Sequence, residues 1–188
     1  VIAAKVASKR KSKKIKLFMI EPVLFGPEQA KIWRSSQEKP GNKPNIAEGA
    51  AKRRRNFDSI EEAMKSYEGR GAFKTWGSEW IKDYLIGGTQ KSPNEGIELS
   101  CTPEWESMTF KSSSMDTWNF LEDIEVQTFT IAAAPEENSG TTFSEDARKA
   151  LLSLGSTWEL EEVDGASHFL PMEFSDLTVD RISDYIDK

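Results

Sequence analysis

The sequence predicts an α/β protein, with about three parallel strands and flanking helices interrupted by a long helical insertion. Three observations carry this. Near each end of the chain, short apolar runs of strand composition alternate with stretches of helical spacing, the pattern that builds a parallel sheet. Between them, residues 28–122 hold little strand signal but many helix starts and stops. Finally, the one histidine of the chain, His168, falls between a strand pattern and a terminal helix.

Taken in order, Val1 to Ser8 is a short apolar helix rich in small residues, which let a helix lie close to a sheet. Lys9-Arg10-Lys11-Ser12-Lys13-Lys14 is a basic cluster. It reads as the solvated end of that helix, where cations favour the dipole, rather than as a polyanion site. Ile15 to Ile20 is a strand, expected at the centre of the sheet, and Glu21-Pro22 closes it. Ligands of parallel sheets bind beyond the carboxyl ends of the strands, so Glu21 stands where chemistry is done. A plainer role for Glu21 is to cap a neighbouring backbone donor.

The insertion reads as all-helical. Helices are expected over Glu28–Trp33, Ala50–Arg55, from Asp58-Ser59 onward, over Phe73–Leu85 and from Thr102-Pro103 onward. Thr102 is placed as a cap with Pro103 in the first helical position. Ile97 to Cys101 is a short extended segment. Trp76, Trp80, Trp105, Phe110 and Trp118 are expected mainly in cores, with the lining of a substrate pocket as the alternative. Cys101 is weighed as a nucleophile and read instead as a packing residue, because no cationic partner is close in sequence except Lys91.

The α/β pattern then resumes. Glu125 to Ala132 is a strand. Ser144 caps a helix whose face is Ala147, Ala150, Leu151 and Leu154, stopped by Gly155. Thr157 to Val163 is the next strand, the His168 loop follows, and a terminal helix is expected to bury Leu177, Ile182, Tyr185 and Ile186.

Composition excludes several classes of function. A charged fraction of 30 % against 37 % hydrophobic describes a globular chain, and no run reaches the roughly 18 apolar residues of a membrane helix. A net charge of −6 argues against nucleic acid as a partner. Cys101 is alone, so no intrachain disulfide is possible; a reducing compartment, the cytoplasm, is the expected location. No metal-ligand spacing and no glycine-rich phosphate loop is present, so neither metal nor cofactor is expected.

Gly165-Ala166-Ser167-His168-Phe169-Leu170-Pro171-Met172-Glu173 resembles the histidine loop of the α/β-hydrolases. Leu17 to Pro22 resembles the strand that follows the nucleophile helix of that family. Phe57 to Ala63, Trp76, Tyr84 and Leu99 to Glu106 look like the cap of one large hydrolase group. The resemblance implies a partial α/β-hydrolase fold. Residues 1–27 would be the helix after the nucleophile elbow and the next strand, 28–122 a helical cap, and 123–188 a core segment carrying the histidine. His168 would be the general base of a catalytic triad.

No Gly-x-Ser-x-Gly elbow occurs in the sequence. Val1 to Ala4 resembles the interior of the helix after that elbow, so the nucleophile is expected upstream of Val1. The N-terminal half of the hydrolase domain would then be a missing partner. For the acid, Gly140 stands where the family usually has an aspartate, leaving Glu21 and, slightly early on the same loop, Glu136 or Glu137. The expected activity is hydrolysis of a small, largely apolar substrate, an ester. Dehalogenase or epoxide-hydrolase chemistry would follow if the nucleophile were an aspartate. The alternative is a non-catalytic binding protein on a degenerate hydrolase scaffold.

Overall fold

The computed structural model describes residues 2–10, 12, 14–37, 45–112, 117–135 and 143–187. In chain order its elements are α1 (Ile2–Ser8), β1 (Leu17–Ile20), α2 (Pro27–Gln37), α3 (Asn45–Ala51), β2 (Asn56–Phe57) and α4 (Ile60–Tyr67). A 3₁₀ turn (Gly71–Phe73) precedes α5 (Ser78–Gly88), β3 (Thr89–Lys91), β4 (Ile97–Leu99), α6 (Pro103–Lys111) and α7 (Trp118–Leu121). The chain ends with β5 (Thr128–Ala133), α8 (Glu145–Leu152), β6 (Trp158–Val163), α9 (Leu170–Glu173) and α10 (Ser175–Asp187). Two compact units result: Val1–Arg34 with Met115–Lys188, and Ser35–Ser114.

In the first unit β1, β5 and β6 form a parallel sheet in the order β1-β5-β6. The strand expected at the centre, β1, is therefore an edge of the described sheet, and β5 is central. Burial explains the exchange. Nearly every residue of β5 is buried, as a strand covered on both faces requires, whereas only Leu17 of β1 is. Alternate residues of β5 serve two cores. Ala132 packs with Ala4, Ala7, Leu17, Phe143 and Leu151 on the side of α1 and α8. Ile131 and Ala133 pack with Val163, Ala166 and Leu170 on the side of α9 and α10.

Several sequence signals act as read. Ser144 accepts a hydrogen bond from Ala147 N as the cap of α8, and its Oγ also accepts from Gly26 N. Ala147 and Leu151 are buried, and Gly155 ends the helix at φ 123°. Lys9 and Arg10 follow the end of α1, exposed; Lys11 and Lys13 of the basic cluster lie outside the described residues. On α10, Tyr185 is buried and Leu177 and Ile182 are half-buried, but Ile186 is 69 % exposed, a correction to the expected face. The helix is held at its end instead. Lys16 Nζ donates to Tyr185 O at 2.9 Å, and Tyr185 packs against Phe18 and Phe129 while its hydroxyl donates to Gln127 O.

The second unit is mostly helical, but it is not all-helical. β2, β4 and β3 form an antiparallel sheet in the order β2-β4-β3. The strands are two or three residues long, too short to show an alternation in the sequence. Ser59 caps α4 and Thr102 caps α6, with Pro103 at the start. Glu62 completes the first cap: its carboxylate accepts from Asp58 N and pairs with Arg54, which together hold it below the ordinary carboxylate range. Consecutive arginines fasten three elements, with Arg53 on Glu106, Arg54 on Glu62 and Arg55 on Glu98. The core is Phe57, Ala63, Tyr67, Phe73, Ile81, Leu85 and Leu99, with Trp76 packed against it. Trp80 and Trp105 are 42 % and 66 % exposed, and Cys101 is exposed, so these three are not core residues.

Candidate active site

Parallel pairing aligns the carboxyl ends of β1, β5 and β6 at one edge of the sheet. There β1 ends in Glu21, β5 in Ala133 and β6 in the loop 164–169 that carries His168. The backbone of Glu21 still belongs to the ladder, since its N–H donates to Ile131 O at 2.8 Å. Its φ of 37° then turns the chain out of the sheet. Among the described residues it is the non-glycine position of positive φ, a conformation that costs on the order of 1–3 kcal/mol.

The departure leaves the N–H of Ala133 without the β1 carbonyl that a continuing ladder would supply. Glu21 Oε2 takes that place, accepting from Ala133 N at 2.7 Å. The carboxylate is thereby fixed and buried, with the residue 3 % exposed. Its other oxygen, Oε1, lies 3.9 Å from His168 Nδ1. This is an electrostatic approach longer than a hydrogen bond. So Glu21 caps a backbone donor and also faces the histidine.

The histidine loop is built locally. Gly165 adopts φ 72°, which a side chain would disfavour, and Ala166 anchors the loop in the core. Ser167 is clamped by Glu173, whose carboxylate accepts from Ser167 N at 2.7 Å and from Ser167 Oγ at 2.6 Å. Ser167 Oγ in turn accepts from Phe169 N at 3.1 Å. The backbone on both sides of His168 is therefore held, while its side chain is 31 % exposed. The imidazole thus presents Nδ1 to a buried carboxylate 3.9 Å away.

Of the residues singled out in the sequence, His168 and Glu21 are brought together. Glu136, Glu137 and Gly140 lie outside the described residues. Three structural features escaped sequence reasoning. Glu173 stands in the quoted motif, but its partner Ser167 gives no signal of its own. Arg148 shares the buried face of α8 with Ala147 and Leu151, an anomaly visible in the helical spacing. The positive φ of Glu21 has no sequence signature at all. A cavity of about 450 Å³ in the same unit is lined by Arg148, Lys149, Leu152, Leu160 and Glu162 and includes neither Glu21 nor His168. Among the described residues no group of acidic, cysteine and histidine side chains could hold a metal, and no helix is long and apolar enough to cross a membrane.

This architecture is the α/β-hydrolase fold, in part. The chain superposes on solved hydrolases of that fold over nearly its whole length. With E-2-(acetamidomethylene)succinate hydrolase the TM-score is 0.69 at 15 % identity, covering 98 % of this chain and 62 % of the other. With a peroxisomal α/β-hydrolase of Saccharomyces cerevisiae it is 0.66 at 16 % identity, covering 91 % and 45 %. With an esterase of M. tuberculosis it is 0.65 at 10 % identity, covering 100 % and 59 %. The chain thus spans between 45 % and 62 % of the length of these three structures. No protein-family model and no curated protein matches the sequence.

Proposed function

We propose that this chain is the C-terminal portion of an α/β-hydrolase acting on a small, largely apolar ester, with His168 as general base and Glu21 as the acid that orients it. The single observation carrying the reading is the 3.9 Å approach of His168 Nδ1 to a buried, backbone-fixed Glu21 carboxylate at the carboxyl edge of a parallel sheet. A carboxylate on the Nδ1 side orients the ring and opposes the positive charge that a general base carries once it has taken a proton. In this reading a serine supplied by sequence upstream of Val1 attacks the ester carbonyl. His168 takes its proton and returns it to the leaving alcohol, and water then repeats the cycle on the acyl-enzyme. In this reading residues 28–122 correspond to the family's cap region. No cofactor or metal enters the scheme.

The test is made in the protein extended upstream through its nucleophile elbow, with a small activated ester as substrate. His168→Ala is expected to lower turnover on the order of 10³-fold or more, as loss of a triad member does. Glu21→Gln is expected to lower it by orders of magnitude and Glu137→Gln by little. Hydrolysis unchanged by His168→Ala would refute the assignment. An extended protein inert with every residue intact would favour a non-catalytic binding protein on the same scaffold.

A further inference from the structure

Arg148 has no part in the reading above, yet it is 3 % exposed, a position that a charged side chain rarely takes. Every nitrogen of its guanidinium group is committed. Nε donates to Phe143 O at 2.9 Å, Nη2 to Ala133 O at 2.7 Å and Nη1 to the Glu162 carboxylate at 2.7 Å. The group also lies over the Phe143 ring, 4.6 Å from its centroid. A buried guanidinium facing only carbonyls would be costly, and Glu162, with its side chain 42 % exposed, supplies the counter-charge from the rim.

The positions it grips matter more than their number. Ala133 and Phe143 flank the connection from β5 to α8, so one side chain pins both ends of that connection. Ala133 is also the residue whose N–H holds Glu21 Oε2. Its two backbone groups therefore face two side chains: the carbonyl is held by Arg148 and the N–H holds the carboxylate. Any drift of Ala133 moves the carboxylate relative to His168.

We propose that Arg148 is a positioning residue for the Glu21–His168 pair, acting through the backbone of Ala133. The proposal rests on the reading of Glu21 and His168 as an acid–base pair, and the experiment separates the two. His168 is the only histidine of the chain, so in protein labelled with nitrogen-15 histidine its ring resonances stand alone. At alkaline pH they report which nitrogen carries the proton. Histidine in water prefers the Nε2–H form, whereas a carboxylate facing Nδ1 favours the Nδ1–H form.

The Nδ1–H form is expected to dominate in the parent chain and to be lost in Glu21→Gln. Arg148→Met is expected to shift the ratio towards Nε2–H by about threefold or more, the equivalent of weakening one hydrogen bond. Arg148→Lys, which keeps a donor for Ala133 O, is expected to recover part of the shift. Glu162→Gln leaves the Ala133 bond in place and is expected to change the ratio little. A folded Arg148→Met that keeps the parental ratio, while Glu21→Gln loses it, overturns the role of Arg148 and leaves the pair standing. A parent chain with the Nε2–H form dominant and unaffected by Glu21→Gln overturns the pair itself. If Glu162→Gln moves the ratio as far as Arg148→Met, the route through Ala133 is wrong. If neither Arg148 variant folds, Arg148 serves the stability of the unit and the positioning role is likewise overturned.

Discussion

Replacing Glu173 tests whether the histidine loop is held by one carboxylate. In Glu173→Ala, Ser167 loses two acceptors, one for its N–H at 2.7 Å and one for its hydroxyl at 2.6 Å. Hydrogen bonds to a charged group contribute about 1.5–3 kcal/mol each when buried. Glu173 and Ser167 are only half-buried, so water replaces part of what is lost, and the lower end applies to the pair. The expected loss is about 2 kcal/mol, or a fall in Tm of roughly 4–8 °C for a chain of this size. Glu173→Gln keeps an oxygen for the Ser167 N–H and can donate its amide to Ser167 Oγ. It forfeits mainly the charge assistance, about 1 kcal/mol. Thermal and urea unfolding of both variants, with Ser167→Ala and the double variant, closes the cycle. Since Ser167→Ala removes one of the two bonds, a coupling of about 1 kcal/mol is expected. Glu173→Ala within about 0.5 kcal/mol of the parent, with no coupling to Ser167, would refute the clamp.

Tyr185 offers a test by pH. Burial, with a smaller contribution from Glu159, pushes its phenol up to about 12. The same phenol ionises near 10 in the unfolded chain. A raised folded value gives stability that is complete below about pH 10 and declines as pH rises towards 12. Tyr185→Phe should lose about 0.5–1.5 kcal/mol at neutral pH with the Gln127 hydrogen bond. It should also have a shallower decline in urea midpoint than the parent across that alkaline window; parallel declines would contradict the burial argument. In the second unit, Gly96 has φ 70°, and a Cβ there would lie 2.3 Å from Phe57 O. Gly96→Ala should therefore cost more than about 2 kcal/mol, from the left-handed backbone plus the clash. A loss below about 1 kcal/mol in urea unfolding would mean that the β2–β4 pairing yields without cost.

Legibility in the sequence followed the range of the interactions. The caps at Ser59, Thr102 and Ser144 were read from neighbours within one turn, and the structure forms them. The strands β1, β5 and β6 are legible in the sequence, β1 by its apolar run and β5 and β6 by alternation, each with its start read one to three residues early. The order of the strands is not a local property. β1 is four apolar residues and reads as a buried strand, but the partners of a strand are chosen by the whole chain. The same holds for Trp80 and Trp105, which share helical spacing with core positions yet are exposed. His168 stands out as the one histidine, in a loop that resembles the histidine loop of the α/β-hydrolases, and Glu21 because it ends a strand. That Glu21 would turn at positive φ and fill a gap in the ladder depends on β5, more than a hundred residues away by the separation of Glu21 and Ala133. No window of sequence contains that information.

The double employment of Glu21 also limits what a single substitution there can mean. One oxygen satisfies a buried N–H and the other faces the imidazole. Glu21→Ala would orphan the Ala133 donor, a cost of about 1–3 kcal/mol, and would remove the carboxylate from His168 at the same time. Lost activity in that variant could follow from either. Glu21→Gln divides the two roles, because its amide oxygen still accepts from Ala133 while its neutral amide no longer favours an imidazolium. If unfolding stability survives Glu21→Gln and hydrolysis by the extended protein does not, the carboxylate is there for its charge. If both survive, it is there to complete the sheet, and the strained turn at Glu21 is a requirement of the fold rather than of a reaction.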